Sequence, residues 1–510
     1  MVKFNRTLVD VYCQIIIAVL LSSCIATPKG VEETKIPSAE PTLISTSIVA
    51  TSVIPQVTAT EFPSTPDITA VIPQVTATEL PSTPDITAPD VIFYNGEILT
   101  LEDGQPTGQA IAILDNKIVA VGSNAEILVL QSPQTRLIDI GGLTIMPGFV
   151  DAHSHLFSAA GNWGLDLEGA QQVALEGGIT SLGEMSGSPE FIREMKSFSE
   201  SGLLRVRTTL YMGYNTNCGE VLGDWYRDYP PIRSPGEILR IGGVKIFTDG
   251  GSCGAPAVSF QHPVYGYGDL WLTQDELNSV LIELQARGYQ AAIHAIGDRG
   301  VDQALNAVEF ALNGKPNSFR HRIEHNSLVR DDQVFRYGAI GIVPLIFGSY
   351  PICSAEVSPP SDQQGWEWRW RDLIDNNPNL HFAWHSDMLT RLFAKISPLQ
   401  HLFSMVTPFE VASDGVTVCD TPSWVAENIL SVEEALPMMT VEGAYALFLE
   451  EEVGSIQPGK YADLIILSGN PTKVDANDII DLKVLMTMIG GHVEYCAAGY
   501  QAQCPVLSVP

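Results

Sequence analysis

The chain has 510 residues, of which 45% are hydrophobic, so it is long enough for one large domain or two ordinary ones. Its 59 acidic and 28 basic residues give a formal net charge of -31. This charge repels nucleic acid, whose binding needs Lys and Arg to replace phosphate counterions. We therefore expect no nucleic-acid partner; the motifs described below indicate a small-molecule substrate.

The first 23 residues have the pattern of a targeting peptide. Lys3 and Arg6 make a positive start, and the apolar run Ile15–Leu21 is too short to span a bilayer as a mature helix. The sequence Leu21-Ser22-Ser23-Cys24 then resembles the bacterial lipobox. We expect a lipoprotein signal peptide (1–23), lipid on Cys24 as the only membrane attachment, and a location on the cell membrane facing away from the cytoplasm. The alternative is a buried apolar helix that ends in an idle cysteine.

Residues 24–88 form a predicted linker rich in Thr and Pro. The 18-residue sequence Val53–Ala70 recurs as Val71–Ala88 with one change, Phe62 to Leu80. A β-solenoid is disfavoured because each copy contains three prolines, which interrupt strand pairing, and because two copies are too few to stack. An extended, proline-stiffened spacer fits this composition better.

Short strands predict a small β-sandwich-like domain built from residues 89–147 and 454–500, with a C-terminal tail at 501–510. Two hairpins are expected at its start, with turns at Asn95-Gly96 and Asp115-Asn116. The predicted strands of these hairpins are Asp90–Tyr94 with Glu97–Leu101, and Ala110–Leu114 with Lys117–Val121. The strands Asp463–Leu467 and Val484–Tyr495 would join them from the other end of the chain.

Between these parts, residues 148–453 alternate short apolar strands with helical stretches, which is typical of parallel βα architecture. Two helix starts fit a capping box, Thr273 with Glu276 and Ser431 with Glu434. The fold class is therefore α/β, a (β/α)8 TIM barrel. Its eight predicted strands are Gly148–His153, Gly178–Glu184, Leu204–Met212, Gly242–Asp249, Tyr289–Ala295, Phe319–His325, Gly341–Phe347 and Leu380–Asp387.

Polar side chains stand at the ends of several of these strands. The candidates are His153, His155, Lys245, His294, His325 and Asp387. Each one alone has an ordinary explanation, such as a hydrogen-bonded core histidine, a surface lysine or a helix-capping aspartate. Together they converge on the carboxyl end of the barrel, where active sites of this fold lie. Imidazole and carboxylate groups bind zinc and similar ions, so we predict one or two divalent metals, with Zn²⁺ preferred.

Six cysteines follow the linker: Cys218, Cys253, Cys353, Cys419, Cys496 and Cys504. No CxxC pair is present, which disfavours a zinc ribbon or a redox motif. Outside the cytoplasm disulfides can form, and Cys496 with Cys504 would close a small loop. The other pairings stay open.

The same residues lie in motifs that resemble the amidohydrolase superfamily, and in particular amidohydrolase family 3, the YtcJ-like group that includes N-substituted formamide deformylases. The resemblance covers Asp90 to Gly499. One departure is His385, which stands where a glycine often precedes the Ser-Asp pair. The matching motifs are Ile145–His155, Val244–Gly250, His294–Arg299, Arg322–His325, Ser386-Asp387 and Pro458–Asp463.

The resemblance implies roles for the candidates. His153 and His155 would bind a buried metal, His294 and His325 would bind or flank a second, and a carboxylated Lys245 would bridge both. Asp387 would be the general base. A competing arrangement has one metal, with His325 polarising the substrate and Lys245 only hydrogen-bonding; its ligands would be His153, His155, His294 and Asp387. The neighbours Asp298, Arg299 and Glu324 would orient the ligands or form ordinary salt bridges.

The expected activity is hydrolysis of a C–N bond other than a peptide bond, in a linear amide, N-formyl or N-acyl substrate, by water that the metal activates. Hydrolytic deamination is the alternative within the superfamily. It is disfavoured because the glutamate of ring deaminases, three residues after a metal-site histidine, is replaced here by Gly297 and Leu328. A third possibility is an inactive, lipid-anchored binding protein on the same scaffold.

Overall fold

The computed structural model describes residues 88–102, 104–105, 107–349, 353, 359–388 and 396–504. All of them belong to one compact unit, residues 81–510. The predicted signal peptide, Cys24 and the linker up to residue 87 lie outside the described residues. Within the described part of the chain, none of the helices combines the length and the apolar character needed to cross a membrane.

Seven short strands come before the barrel, together with one short helix, α1 (Asn124–Leu128). The strands are β1 (Val91–Tyr94), β2 (Glu97–Leu99), β3 (Thr107–Gly108), β4 (Ala110–Leu114), β5 (Lys117–Gly122), β6 (Arg136–Asp139) and β7 (Thr144–Pro147).

The barrel consists of eight parallel strands whose order in the sheet follows the chain. Two backbone hydrogen bonds join its first and last strands, from Asp387 N–H to the His153 carbonyl (3.1 Å) and from His155 N–H to the Met388 carbonyl (3.2 Å). The predicted (β/α)8 fold is confirmed. The strands are β8 (Phe149–Ser154), β9 (Ile179–Gly187), β10 (Arg207–Gly213), β11 (Leu239–Phe247), β12 (Gln290–Ala295), β13 (Arg322–His325), β14 (Val343–Phe347) and β15 (Ala383–His385).

Helices cover the outside of the barrel. Ile246 on β11 packs in one apolar cluster with Leu277 and Val301 on the covering helices, so the strands are buried on both faces. Both predicted capping boxes are present, at Thr273 and at Ser431. The helices are α2 (Leu167–Glu176), α3 (Pro189–Glu200), α4 (Gln274–Ala286), α5 (Asp298–Leu312), α6 (Asp331–Ile340), α7 (Trp370–Asn376), α8 (Pro398–Val406), α9 (Ser423–Ala426), α10 (Val432–Met438) and α11 (Val441–Ala446).

The strands from both ends of the barrel segment form a small β-sandwich. One sheet has the order β5-β4-β1-β6. The other has the order β20-β19-β18-β7-β2-β3, in which β18 is Leu464–Leu467, β19 is Val484–Ile489 and β20 is His492–Cys496. Buried apolar side chains from both sheets share one core. A separate two-stranded ribbon, β16 (Phe409–Val411) with β17 (Val418–Asp420), follows α8.

The first predicted hairpin is wrong. β1 pairs with β4 and β6, whereas β2 pairs with β3 and β7, so the Asn95-Gly96 dipeptide carries the chain from one sheet to the other. The Asn95 N–H donates to the side chain of Asn124 (2.9 Å), and the Glu97 N–H donates to the Leu143 carbonyl (3.0 Å). Tertiary partners thus replace the hairpin bonds that the turn residues alone favour.

The second predicted hairpin is confirmed, with β4 antiparallel to β5 and Asp115 at a φ of 53° in the turn. The predicted single strand Val484–Tyr495 is instead two strands, because Gly490 and Gly491, both at positive φ, reverse the chain. Three disulfides join the six described cysteines: Cys218–Cys253, Cys353–Cys419 and the predicted Cys496–Cys504.

Candidate metal centre

His153, His155 and Asp387 form a cluster at the carboxyl end of the barrel. The Asp387 Oδ1 atom lies 3.4 Å from the Nε2 atom of His153 and 3.5 Å from the Nε2 atom of His155. One ligand atom from each residue lies within 4.8 Å of the other two. The two backbone bonds at the carboxyl ends of strands β8 and β15 hold the segments that carry the three side chains together.

Glu324 fixes the orientation of the His153 ring. Its Oε2 atom lies 2.6 Å from the Nδ1 atom of His153, so Nδ1–H is the donor and Nε2 keeps its lone pair. Arg322 binds Glu324 from the other side with a two-pronged contact, Nε to Oε1 (2.7 Å) and Nη2 to Oε2 (2.9 Å). All three residues are buried.

These residues fit a divalent metal. The Nε2 atom of His153 is buried and has no hydrogen-bond partner among the described residues, although it faces the Asp387 carboxylate. Buried polar atoms without a partner are uncommon and need an explanation. A cation held by His153, His155 and Asp387 explains this one, since a carboxylate supports the opposite nitrogen of a metal-binding histidine as Glu324 does here.

His294 and His325 lie in the same mouth but outside this three-residue cluster. The His325 ring is the centre of a row, with its centroid 5.0 Å from that of His153 and 4.7 Å from that of His294. The Nε2–H of His294 donates to the Gly250 carbonyl (3.1 Å), which leaves Nδ1 as its lone-pair nitrogen. Burial lowers the pKa of His294 to about 3, so the ring is neutral and can act as a ligand.

Lys245 lies in β11 and is completely buried. Its Nζ atom has no hydrogen-bond partner among the described residues. Burial lowers the pKa of Lys245 to about 8 and raises the pKa of Asp387 to about 6. Each group partly offsets the shift of the other, because the ammonium and the carboxylate attract one another.

The backbone is strained at two of these positions. His325 has a φ of 72° and Asp387 a φ of 53°, in the left-handed region that residues other than glycine rarely adopt. Both residues come at the end of a barrel strand or just after it. Such conformations cost about 1–3 kcal/mol each and concentrate at functional sites.

Two of the three predicted orienting residues do not approach the ligands. The Asp298 carboxylate accepts from the Ser259 N–H (2.8 Å) and pairs with Arg330 (2.7 Å). Arg299 donates its backbone N–H to the Ala257 carbonyl, and no hydrogen bond or ion pair joins its side chain to a described site residue. For Asp298 this is the ordinary salt bridge that the sequence left as the alternative, and helix α5 begins at this residue; the role of Arg299 stays a prediction.

Other buried residues of the site were missed from the sequence. The Asp151 carboxylate binds the backbone and hydroxyl of Ser386 and thereby ties β8 to the segment that carries Asp387. Asp249 accepts from the N–H groups of Ile296 (3.1 Å) and Gly297 (2.7 Å), just after His294. Both aspartates lie within the motifs that predicted the ligands, two residues before His153 and four after Lys245, and that proximity was the available signal.

His385 is the third residue that the sequence did not assign to the site. Its ring stacks on that of His153, with centroids 4.9 Å apart and planes at 20°. It is fully buried, and neither ring nitrogen has a partner among the described residues. The histidine that departs from the expected glycine is therefore part of the wall of the metal centre.

The chain is similar to known proteins in sequence and in fold. Residues 167–495 match the Amidohydro_3 model of the amidohydrolase family. YtcJ of Bacillus subtilis is 26% identical over 51% of this chain and 48% of its own length. The N-substituted formamide deformylase of Arthrobacter pascens is 26% identical over 51% of this chain and 47% of its own length. The chain spans about half the length of these curated relatives.

A solved structure supports the fold. The crystal structure of a metal-dependent hydrolase from Pyrococcus horikoshii aligns with a TM-score of 0.63 and 20% identity over 76% of this chain and 99% of that one. At this level of identity the likeness concerns the fold alone. The family model, in contrast, matches more than half of the chain. This protein belongs to the amidohydrolase family.

Proposed function

We propose that this protein hydrolyses a non-peptide C–N bond in a linear amide, N-formyl or N-acyl compound, using one or two divalent metal ions, with Zn²⁺ preferred. The observation that carries the proposal is the cluster of His153, His155 and Asp387. Two imidazole nitrogens face one carboxylate oxygen at 3.4 and 3.5 Å, and the buried Nε2 atom of His153 has no other described partner.

A bound divalent ion lowers the pKa of water from about 16 towards 7 and polarises a carbonyl group. Asp387 accepts the proton of the attacking water and passes it to the leaving nitrogen, since an amine anion is too poor a leaving group. Such a transfer contributes about 10²–10⁴-fold to the rate. His325, whose ring lies between those of His153 and His294, would bind or flank the second metal in the two-metal arrangement and would polarise the substrate carbonyl in the single-metal one.

For Lys245 we propose carboxylation and the two-metal arrangement. The support is its position in β11, where a buried Nζ atom has no described hydrogen-bond partner. An ammonium there would repel a nearby cation, whereas a carbamate offers oxygen ligands and a negative charge. One metal per active chain, with no added CO₂ mass on Lys245, would leave the single-metal arrangement as correct.

The deciding experiment combines metal analysis of the purified protein with a screen of N-formyl, N-acyl and cyclic amidine compounds. We expect bound metal, loss of activity after dialysis against a chelator, and recovery on addition of Zn²⁺. Full activity of metal-free protein would contradict the mechanism. Turnover of cyclic amidines alone would identify a deaminase, and bound metal without any turnover would identify a binding protein.

We also propose that the enzyme is a lipoprotein that faces away from the cytoplasm, anchored through Cys24. Three disulfides among the described cysteines support this, because disulfides persist in oxidising compartments. The variant Cys24→Ala should appear as soluble, active protein, whereas the wild type should sediment with membranes. A variant that still sediments with membranes would contradict the anchor.

A further inference from the structure

The disulfide Cys218–Cys253 lies in the loops at the carboxyl end of the barrel. Cys218 follows β10 and Cys253 follows β11, so the bond joins two neighbouring loops at the carboxyl ends of their strands. Cys218 is exposed and Cys253 is half-buried. The bond therefore lies at the end of the barrel that carries the metal centre, and within reach of solvent.

The loop that contains Cys253 also contacts the ring of His294, which lies on the neighbouring strand β12. Its Gly250 carbonyl accepts the Nε2–H of His294 at 3.1 Å, the one hydrogen bond described for this ring. The adjoining Gly251 has a φ of 138°, and a side-chain carbon there would lie 3.6 Å from the same nitrogen. The backbone of this loop is thus in direct contact with the ring.

The carboxylate of Asp249 anchors the start of this loop, because it accepts from the N–H groups of Ala257, Ile296 and Gly297, but few other interactions are described for the residues that follow. Residues 250–254 are Gly-Gly-Ser-Cys-Gly, so no apolar side chain anchors them, and glycine-rich backbone loses the most conformational freedom when it is ordered. Inside the loop the Gly251 N–H donates to the Gly254 carbonyl (3.2 Å). Across the loops, the Asn217 amide donates to the Ser252 hydroxyl (3.1 Å).

The ring of Trp271 packs against both loops. Side-chain carbons added at Gly219 and at Gly254, each next to one cysteine of the pair, would lie 2.9 and 3.0 Å from its ring. The ring therefore packs flat against backbone on both sides of the disulfide. This packing fits the oxidised arrangement of the two loops, with Cα atoms of the cysteines 5.2 Å apart.

We infer that the Cys218–Cys253 disulfide is a positioning element of the metal centre, because it holds the Gly250 carbonyl on His294 and so keeps that ring oriented for metal binding. The inference rests on the proposed function, in which His294 is a ligand. A dithiol reagent would break the S–S bond by exchange. The reagent gives two electrons and two protons, becomes a disulfide itself, and leaves two cysteine thiols.

The chain offers a matched control in Cys496–Cys504, a disulfide of the β-sandwich with no described contact to the mouth. We would compare Cys218→Ser/Cys253→Ser with Cys496→Ser/Cys504→Ser. For each protein, Zn²⁺ affinity is measured against a competing chelator, together with the melting temperature, kcat and KM. Loss of the partner that orients a metal-binding histidine typically weakens metal binding about 10–100-fold.

We expect a loss of that size in the first variant, recovery of kcat at saturating Zn²⁺, and wild-type affinity in the control variant. Reducing the wild type with dithiothreitol while it stays folded should lower Zn²⁺ affinity, and reoxidation should restore it. Equal affinities in wild type and first variant would overturn the inference, as would unfolding by both treatments. A wild type that binds no Zn²⁺ would overturn the proposed function itself.

Discussion

The two ends of the barrel differ in how some of their buried charged and imidazole groups are paired. At the amino end, Arg207 at the start of β10 binds Asp463 through two hydrogen bonds (2.6 and 3.1 Å), and both side chains are buried. Arg240 near the start of β11 likewise pairs with Glu452. At the carboxyl end, the Nε2 atom of His153 and the Nζ atom of Lys245 are buried with no hydrogen-bond partner among the described residues.

This difference separates stability from function. A buried charge pair in which each partner is hydrogen-bonded to the other, as in Arg207 with Asp463, joins the barrel to the β-sandwich. Such a pair needs no ligand to complete its hydrogen bonds. A buried polar group without a hydrogen-bond partner lowers the stability of the fold by about 1–3 kcal/mol. A fold that keeps such groups regains this free energy when a ligand binds to them. We therefore expect changes at the mouth to affect activity and metal binding, and changes at the amino end to affect stability.

The largest expected effect is at the mouth. His155→Ala removes a metal ligand and should lower kcat/KM by at least about 10³-fold, because a metal would no longer lower the pKa of the attacking water. The melting temperature should change little, since the barrel forms without the metal. Kinetics with an identified substrate and thermal unfolding measure both. His492→Ala, at an exposed histidine of the β-sandwich, is the control and should remain active.

The opposite outcome is expected for Arg207→Ala. It leaves the Asp463 carboxylate buried without its partner and should lower the free energy of unfolding by about 3–5 kcal/mol. Activity per folded molecule should stay at the wild-type level. Urea unfolding gives the stability, and Arg193→Ala in an exposed pair with Glu190 should leave it unchanged. A large loss of kcat in folded Arg207→Ala would break the proposed separation of the two ends.

Glu324→Gln tests how the mouth is organised. The amide keeps the shape but loses the charge that holds the Nδ1–H of His153, so Zn²⁺ should bind about 10–100-fold more weakly. Asp298→Asn is the matched control, because its carboxylate contacts Arg330 and Ser259 and should leave Zn²⁺ affinity unchanged. If both variants lost the same amount of Zn²⁺ affinity, Glu324 would act only through its negative charge and not through its contact with His153.

The smallest effect concerns pH and a buried histidine outside the mouth. His321, just before β13, accepts the Ala291 N–H through Nδ1 (2.9 Å), and burial lowers its pKa to about 3. Below about pH 6.5, the ordinary pKa of histidine, His321 binds a proton in the unfolded chain but not in the folded one. Stability is therefore complete above pH 6.5 and declines as the pH falls towards 3.

Between pH 7 and pH 5 this site should remove about 2 kcal/mol from the free energy of unfolding. His321→Asn keeps an acceptor for the Ala291 N–H but does not titrate. Between pH 7 and pH 5 its free energy of unfolding should therefore fall by about 2 kcal/mol less than that of the wild type. Urea unfolding at both pH values measures the difference. Identical pH dependence of variant and wild type would show that His321 is protonated within the fold.

Much of this molecule follows from local sequence patterns. The period of apolar residues and the turn dipeptides determined eight parallel strands and the hairpin at Asp115, because they depend on residues close together in the chain. The positions of His153, His155 and Asp387 followed from fold class as well, since all parallel strands of a barrel end at one mouth. Those inferences needed only the order of the elements.

Tertiary structure alone decided which groups are partners. Asn95-Gly96 joins two sheets because the side chain of Asn124 and the carbonyl of Gln109 accept its two backbone N–H groups. Glu324 orients His153 across 171 residues of sequence, whereas Asp298, only four residues from His294, turns away to Arg330. Nearness in sequence does not fix the direction of a side chain after a strand ends, and only the packing of helices and loops around the barrel determines it.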